Sequence, residues 1–176
     1  MPAKWSLGIP PIGRPSRMSG SFFFAQYYAL HMPGKDTHDK CIFCAIINGD
    51  EAAHIIDETE DFISFLDHRP VFRGHVLLVP KVHIQLMSEL PSDQVESFFL
   101  TAQRLERAVE TGLPADGSMI LINNVISQTV PHLHLHVIPR NKKDGLRFWL
   151  GPRHPYNTEN PAEPYAAKIR EALVSS

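Results

Sequence analysis

Two periods of apolar residues run along this chain, and the switch between them marks out its elements. Val95, Phe98, Phe99, Ala102, Leu105 and Val109 recur at the spacing of one helix face. Ser92 is placed to cap that helix, Asp93 and Glu96 suit its positive N-terminal end, and Gly112 stops it. Leu100, Ala108 and Leu113 fall off the stripe, which predicts a helix buried on two sides. Segments 54–57, 62–67, 74–79, 118–123 and 132–138 are short and rich in Ile, Val, Leu and Phe, and they predict strands. A short helix over 41–48, closed by Gly49, precedes them, and 161–174 predicts a weaker terminal helix. This order gives an α+β fold: a mainly antiparallel five-stranded sheet meander with one long helix and short terminal helices.

One strand carries more than a core pattern. In His132-Leu133-His134-Leu135-His136-Val137-Ile138 strict alternation puts three imidazoles on one face and Leu133, Leu135 and Val137 on the other. Neighbouring imidazoles on that face are expected roughly 6.5–7 Å apart. Imidazole titrates near neutrality, so such a row can supply a nucleophile, a proton donor and a metal ligand. The plain alternative is a half-exposed strand whose histidines face water.

Composition narrows the reading further. The 176 residues fit one domain with a full core, and the 43% hydrophobic content is ordinary. A net charge of −2 without a long basic run argues against nucleic acid as the main partner. Arg140, Lys142, Lys143, Arg147 and Arg153 cluster after the histidines, either as a solvated loop or as a phosphate-steering patch. No apolar run approaches the ~18–20 residues of a membrane span, so a soluble, cytoplasmic protein without a membrane partner is expected. Residues 1–38 differ from the rest. They hold Pro2, Pro10, Pro11, Pro15 and Pro33, have no acidic residue before Asp36, and read as a flexible N-terminal extension. Organelle targeting by this extension and a start site at Met18 or Met32 both stay open. The compact domain is expected over 39–176.

The two cysteines, Cys41 and Cys44, form a C-x-x-C. They exclude a disulfide framework and leave a redox pair, a metal half-site or two plain thiols. On a helix they project from one face. Two thiolates supply half of a tetrahedral zinc site, and ten histidines are available to complete it.

With these motifs in view, the chain resembles the histidine triad (HIT) superfamily, in its Hint-like, bacterial-type branch. The triad itself carries the resemblance, supported in order by Cys41–Ile47, Phe65-Leu66-Asp67, the run from Gly74 through Val79-Pro80-Lys81 to His83, and Asn123. The resemblance implies an α+β meander and structural zinc held by Cys41, Cys44, His83 and His132. It implies that His134 is a nucleophile forming a nucleotidyl-histidine, with His136 on the phosphate. Gln128 would position the phosphate and Thr129 would lie near the leaving group. Asn123 would bind the α-phosphate, Asp67 the ribose hydroxyls, and Ile42, Phe43, Ile46 and Phe65 the base. Plain readings remain beside these: Phe65 and Ile46 as core, Asp67 as a cap of the turn before Pro70. The implied activity is release of a nucleoside monophosphate (AMP or GMP) from phosphoramidate or related purine nucleotide substrates. The alternatives are dinucleoside polyphosphate hydrolysis or phosphorolysis, a nucleotide-binding interaction module with incidental turnover, and a zinc-dependent nucleic-acid repair enzyme related to aprataxin. The last is disfavoured by the missing basic surface and extra cysteines.

Hint-like members pair through the long helix and an adjoining strand, so a homodimer is expected, with Arg147, Phe148 and Trp149 near the partner's site. One departure from the pattern stands out. The loop Asn123-Asn124-Val125-Ile126-Ser127-Gln128 is short and lacks the usual glycines. Positive φ is therefore expected to be hard to reach there, and either Asn123 or Asn124 can serve as the phosphate asparagine.

Overall fold

The protein, seen here as a computed structural model, is described over residues 41–146 and 154–175. The extension 1–38 and Arg147, Phe148, Trp149 and Arg153 lie outside the described residues. The elements run α1 (Ile42–Asn48), β1 (Ile55–Glu58), β2 (Phe62–Leu66), β3 (Val76–Pro80), a 3-10 turn (Met87–Glu89), α2 (Val95–Gly112), β4 (Gly117–Ile122), β5 (Leu135–Arg140) and α3 (Ala162–Ser175). The expected α+β class holds. All five strands pair antiparallel, in the order β1-β2-β3-β5-β4. Three hairpin-linked strands come first. The long helix then carries the chain across the sheet, so β4 takes the edge and β5 returns between β3 and β4.

Each face of the sheet has its own core. On one face Phe62, Val76, Leu78, Leu133, Leu135 and Val137 pack against Phe98, Ala102, Leu105 and Val109 of α2. On the other, Ile63, Phe65, Leu77 and Val79 pack against Cys41 and Phe43 at α1. A fully buried side chain of this kind stabilises by roughly 1.5–3 kcal/mol, so the two layers together fix the sheet between α1 and α2. Register carries this to the histidines. Leu77 stands opposite His136 and Phe65 opposite Leu77, so the histidine face of β5 is the α1 face.

Several boundaries differ from the sequence expectation. Ser92 does not cap α2. It lies in a turn, and Gln94 precedes the first helical residue with no side-chain cap bond, because the Gln94 N–H already closes that turn on the Pro91 carbonyl at 2.9 Å. Gly112 is the last helical residue, with Leu113 extended after it. Phe99 is 42% exposed and leaves the core stripe, while Thr101 takes a buried place; Thr101 pays no polar cost there, since its hydroxyl donates to the Ser97 carbonyl at 2.8 Å. The strand expected over 74–79 starts only at Val76, because Gly74 turns the chain with φ +92°. A Cβ at Gly74 would also push aside the end of the exposed Leu113 side chain, so it is the positive φ that calls for glycine there. The strand expected over 132–138 pairs only from Leu135 onward. Leu133 instead donates its N–H to the Ile84 carbonyl, which binds this stretch to the loop after β3.

Candidate active site and metal centre

Cys41 sits just before α1 in extended backbone and Cys44 in its first turn, so both thiols point back toward the segment ahead of β5. Cys41 Sγ lies 3.4 Å from His132 Nδ1, Cys44 Sγ 3.2 Å from His83 Nδ1 and 3.7 Å from His132 Nδ1. The four ligand atoms lie within 4.8 Å of one another. Zinc bound to sulfur at about 2.3 Å and to nitrogen at about 2.0 Å would set those atoms roughly 3.5 Å apart in a tetrahedron. The cluster therefore has the donor set and the dimensions of a closed metal site. Its outer shell fits as well: His132 is fully buried, and its Nε2–H donates to the Pro80 carbonyl at 2.8 Å, which leaves Nδ1 as the ligand atom. Burial, together with the Cys41 thiol beside it, pushes the Cys44 thiol up to about 12. A metal ion would reverse that shift, because its charge favours thiolate.

His134 lies two residues on, and 4% of it is exposed. Its Nδ1–H donates to the His132 carbonyl at 2.7 Å. That bond fixes the tautomer and leaves Nε2 with a bare lone pair. Burial lowers its pKa, against the opposing pull of that carbonyl and of Asp67, so the ring is neutral at physiological pH. The edge of Phe43 meets it with centroids 5.2 Å apart.

His136 is half-buried within the ladder, and its ring centroid is 4.8 Å from that of His134. The rings thus stand closer than the 6.5–7 Å expected for an even strand; the pairing begins only at Leu135, and the segment ahead of it is free to lean inward. His136 brings in a residue that sequence reasoning passed over. His75, 2% exposed, places Nε2 2.9 Å from His136 Nδ1 and Nδ1 3.4 Å from Asp67 Oδ2. Its signal was present: His75 alternates with Leu77 and Val79, which both lie in the α1-face cluster. Asp67 takes the capping role, and its other oxygen brings in a neighbour that the sequence did not suggest. Oδ1 accepts the Arg69 N–H at 2.8 Å and caps the turn, while Oδ2 faces His75.

The loop before the triad overturns one expectation. Val125 and Ser127 adopt φ +65° and +64° without any glycine. A β-branched residue in that region is a true outlier, costing about 1–2 kcal/mol. Side chains hold it there. Gln128 Oε1 accepts the Val125 N–H at 3.1 Å, while its Nε2 donates to the Gln85 carbonyl at 2.8 Å and reaches the His132 carbonyl at 3.5 Å. Asn124 Oδ1 accepts the Met87 N–H at 2.9 Å. Asn124 Oδ1 is therefore committed to the loop.

The family model described as the HIT domain matches residues 48–143, more than half of the chain. The protein belongs to the HIT family. It is 40% identical over 107 residues to an uncharacterized HIT-like protein of Methanocaldococcus jannaschii, covering 60% of this chain and 82% of that protein. It is 35% identical over 114 residues to the adenosine 5′-monophosphoramidase of Candida albicans, covering 61% of this chain and 74% of that enzyme. A Zn-bound histidine triad family protein from Mycobacterium smegmatis is 39% identical with TM-score 0.59, over 77% of this chain and 99% of that one.

Within this HIT domain the match begins at the last residue of α1, yet Cys41 just before α1 and Phe43 and Cys44 within it all lie ahead of the match. The structure brings Cys41, Cys44, His83 and His132 together, and separately Asp67, His75, His134 and His136. Phe43 and Phe65 stack edge to face at 5.5 Å and are buried core. Ile46 packs on that core, while Ile42 is 43% exposed. Thr129 is exposed. Arg140 forms a two-bond pair with Asp144 at 2.5 and 2.9 Å, so it braces its own turn. No helix among the described residues is long and apolar enough to cross a membrane.

Proposed function

We propose that this HIT protein is a nucleotide hydrolase or transferase that forms a nucleotidyl-histidine on His134. The observation that carries the reading is the His134 Nδ1–H bond to the His132 carbonyl at 2.7 Å, which makes Nε2 the nucleophilic atom. Nε2 attacks the α-phosphorus of an adenosine or guanosine phosphoramidate. The phosphorus–histidine bond forms as the bond to the leaving amine breaks, and the amine departs with a proton. Water then attacks the phosphorus, the histidine bond breaks and the monophosphate leaves. His136 and Asn123 stabilise charge on the phosphate oxygens. Asp67 takes the ribose hydroxyls, and Ile42 and Ile46 flank the base over the buried pair Phe43 and Phe65. Gln128 acts through the loop it holds, and Thr129 stands by the leaving group. The similarity to an adenosine 5′-monophosphoramidase supports the choice of substrate class.

In this reading Cys41, Cys44, His83 and His132 hold structural zinc. The set leaves no open coordination position, so the metal stabilises the fold and takes no part in the chemistry. A homodimer completes the assembly. Phe99 and Leu100 of α2, Leu113 just beyond it and Ile120 of the edge strand β4 are exposed apolar residues, which suits a second copy packed along this edge. Sedimentation of the wild type at micromolar concentration should give a dimer, and Leu100→Asp with Leu113→Asp a 19.8 kDa monomer.

The function is tested by turnover of adenosine phosphoramidates, adenylated lysine and diadenosine polyphosphates in parallel. Quenched reactions read by mass spectrometry should show the nucleotidyl group on His134 with the first of these. An active His134→Ala enzyme overturns the mechanism.

A further inference from the structure

A neutral imidazole donates at one nitrogen and accepts at the other, so the bonds around His75 allow two arrangements. In the first, His75 Nδ1–H faces Asp67 Oδ2, an ion-pair contact 3.4 Å away. Its Nε2 then accepts from His136 Nδ1–H across 2.9 Å, and His136 Nε2 is a bare lone pair. In the second, His75 Nδ1 accepts the Val71 N–H, also 3.4 Å away. His75 Nε2–H then donates to His136, and His136 Nε2 carries a proton. The two contacts at His75 Nδ1 are equal in length, the one from Val71 a hydrogen bond and the one to Asp67 an ion-pair approach. His136 Nε2 itself is buried and has no partner among the described residues, although it lies in the ring beside His134. A buried polar atom without a partner calls for an explanation.

We propose that Asp67, His75 and His136 form a two-state proton wire whose state is set by the ribose, so that nucleoside binding puts a proton on His136 Nε2. The inference rests on the reading of the site as a nucleotidyl-transfer centre, with the ribose on Asp67. Asp67 Oδ1 already accepts the Arg69 N–H, so ribose hydroxyls and His75 share the remaining lone pairs of the carboxylate, chiefly those of Oδ2. When the ribose donates to Oδ2, the carboxylate becomes a weaker acceptor for His75 Nδ1–H, and the Val71 N–H bond already within reach is favoured instead. One proton leaves His75 Nδ1 to solvent by way of the carboxylate, the His136 Nδ1 proton moves to His75 Nε2, and one proton enters at His136 Nε2 from solvent. The count of protons in the wire is unchanged. The site then offers an N–H donor where negative charge develops on the phosphate. His75 is thus a positioning residue that never touches the phosphate. Asp67, His75 and His136 also lie close enough to share an ion, but in either state the two rings are spent on one another.

The test uses the full-length protein with ¹⁵N-labelled histidine. AMP should place a proton on His136 Nε2, seen in the imidazole nitrogen signals, and 2′,3′-dideoxy-AMP should bind without doing so. The same tautomer with both nucleotides overturns the wire. In turnover, the kcat ratio of ribo- to dideoxy-adenosine phosphoramidate should be about tenfold or more in the wild type. It should fall to about one in His75→Gln while the KM ratio persists, because the ribose still reaches Asp67. A kcat ratio that survives the substitution also overturns the wire. Should His75→Gln fail to fold, the wild-type tautomers decide alone. No turnover and no His134 adduct with any substrate would instead defeat the function, a result distinct from turnover with a ribose-independent tautomer.

Discussion

His132 and His136 lie four residues apart in one segment, yet the structure puts them in clusters of opposite character. Around His132 four donors converge on a common point, and the second nitrogen of the ring is tied to the Pro80 carbonyl. Around His136 the neighbouring polar atoms bond to one another, and one ring nitrogen is left without a partner. Both rings are imidazoles among apolar neighbours, so residue type does not separate their roles. What separates them is the bond made by the other nitrogen. A backbone carbonyl locks His132 into one tautomer, as suits a ligand. A second histidine leaves His136 two tautomers, as suits proton transfer. His134, between them, is locked like His132 by a backbone carbonyl, and the proposed function uses its other nitrogen on the substrate.

The sharpest way to break this comparison is at its centre. His134→Ala should reduce turnover by about 10⁴-fold or more, since nothing else in the site can form the covalent bond. Nucleotide binding, read by calorimetry, should survive. The metal end comes next. Cys44→Ser should destabilise the fold by on the order of 4 kcal/mol, as expected for loss of a structural metal. Chelation of the wild type should lower Tm before it lowers kcat, and X-ray absorption should show two sulfur and two nitrogen neighbours. Neighbours of oxygen and nitrogen alone would erase the distinction between the two ends.

The His136 end should show itself in acid. Burial, with His134 and His75 alongside and Asp67 opposing, holds His136 down to about 4 from the usual 6.5. Between those values the unfolded chain binds more protons than the folded one, so stability rises with pH across that window. Tm should therefore fall as pH drops from about 6.5 toward 4, and His136→Gln should flatten that slope. An equal slope in the variant would place the acid sensitivity elsewhere. The smallest effect is expected from the N-terminus. A chain starting at Asp36 should keep kcat within about twofold of the full length, because no site residue precedes Cys41.

Much of this was legible beforehand, and for identifiable reasons. The alternation of His132, His134 and His136 with Leu133, Leu135 and Val137 is a local property of extended backbone, so the apolar set could be assigned to the core, where all three leucine and valine positions are indeed fully buried. The stripe on α2 was readable for the same reason, apart from Phe99, whose angular position at the edge of the stripe left it to solvent. Of the four metal candidates, the cysteines came with the C-x-x-C and the two histidines only with the family resemblance, and folding brings all four into ligand range. Asp67 was legible as a choice between two roles; the structure shows the turn cap on one oxygen and sets the other against His75.

What the chain determined by itself is its periodic content: which residues face a core, where helices and strands fall to within a few residues, and which side chains carry chemistry. Tertiary structure decided the partnerships. His75 and His136 are 61 positions apart, and only the pairing of β3 with β5 sets their rings in hydrogen-bond range. Val125 and Ser127 hold positive φ without glycine only because Gln128 and Asn124 reach distant backbone at Gln85 and Met87. Periodicity is written in neighbouring residues. A tautomer or a strained turn depends on a hydrogen bond whose other half arrives from elsewhere in the chain.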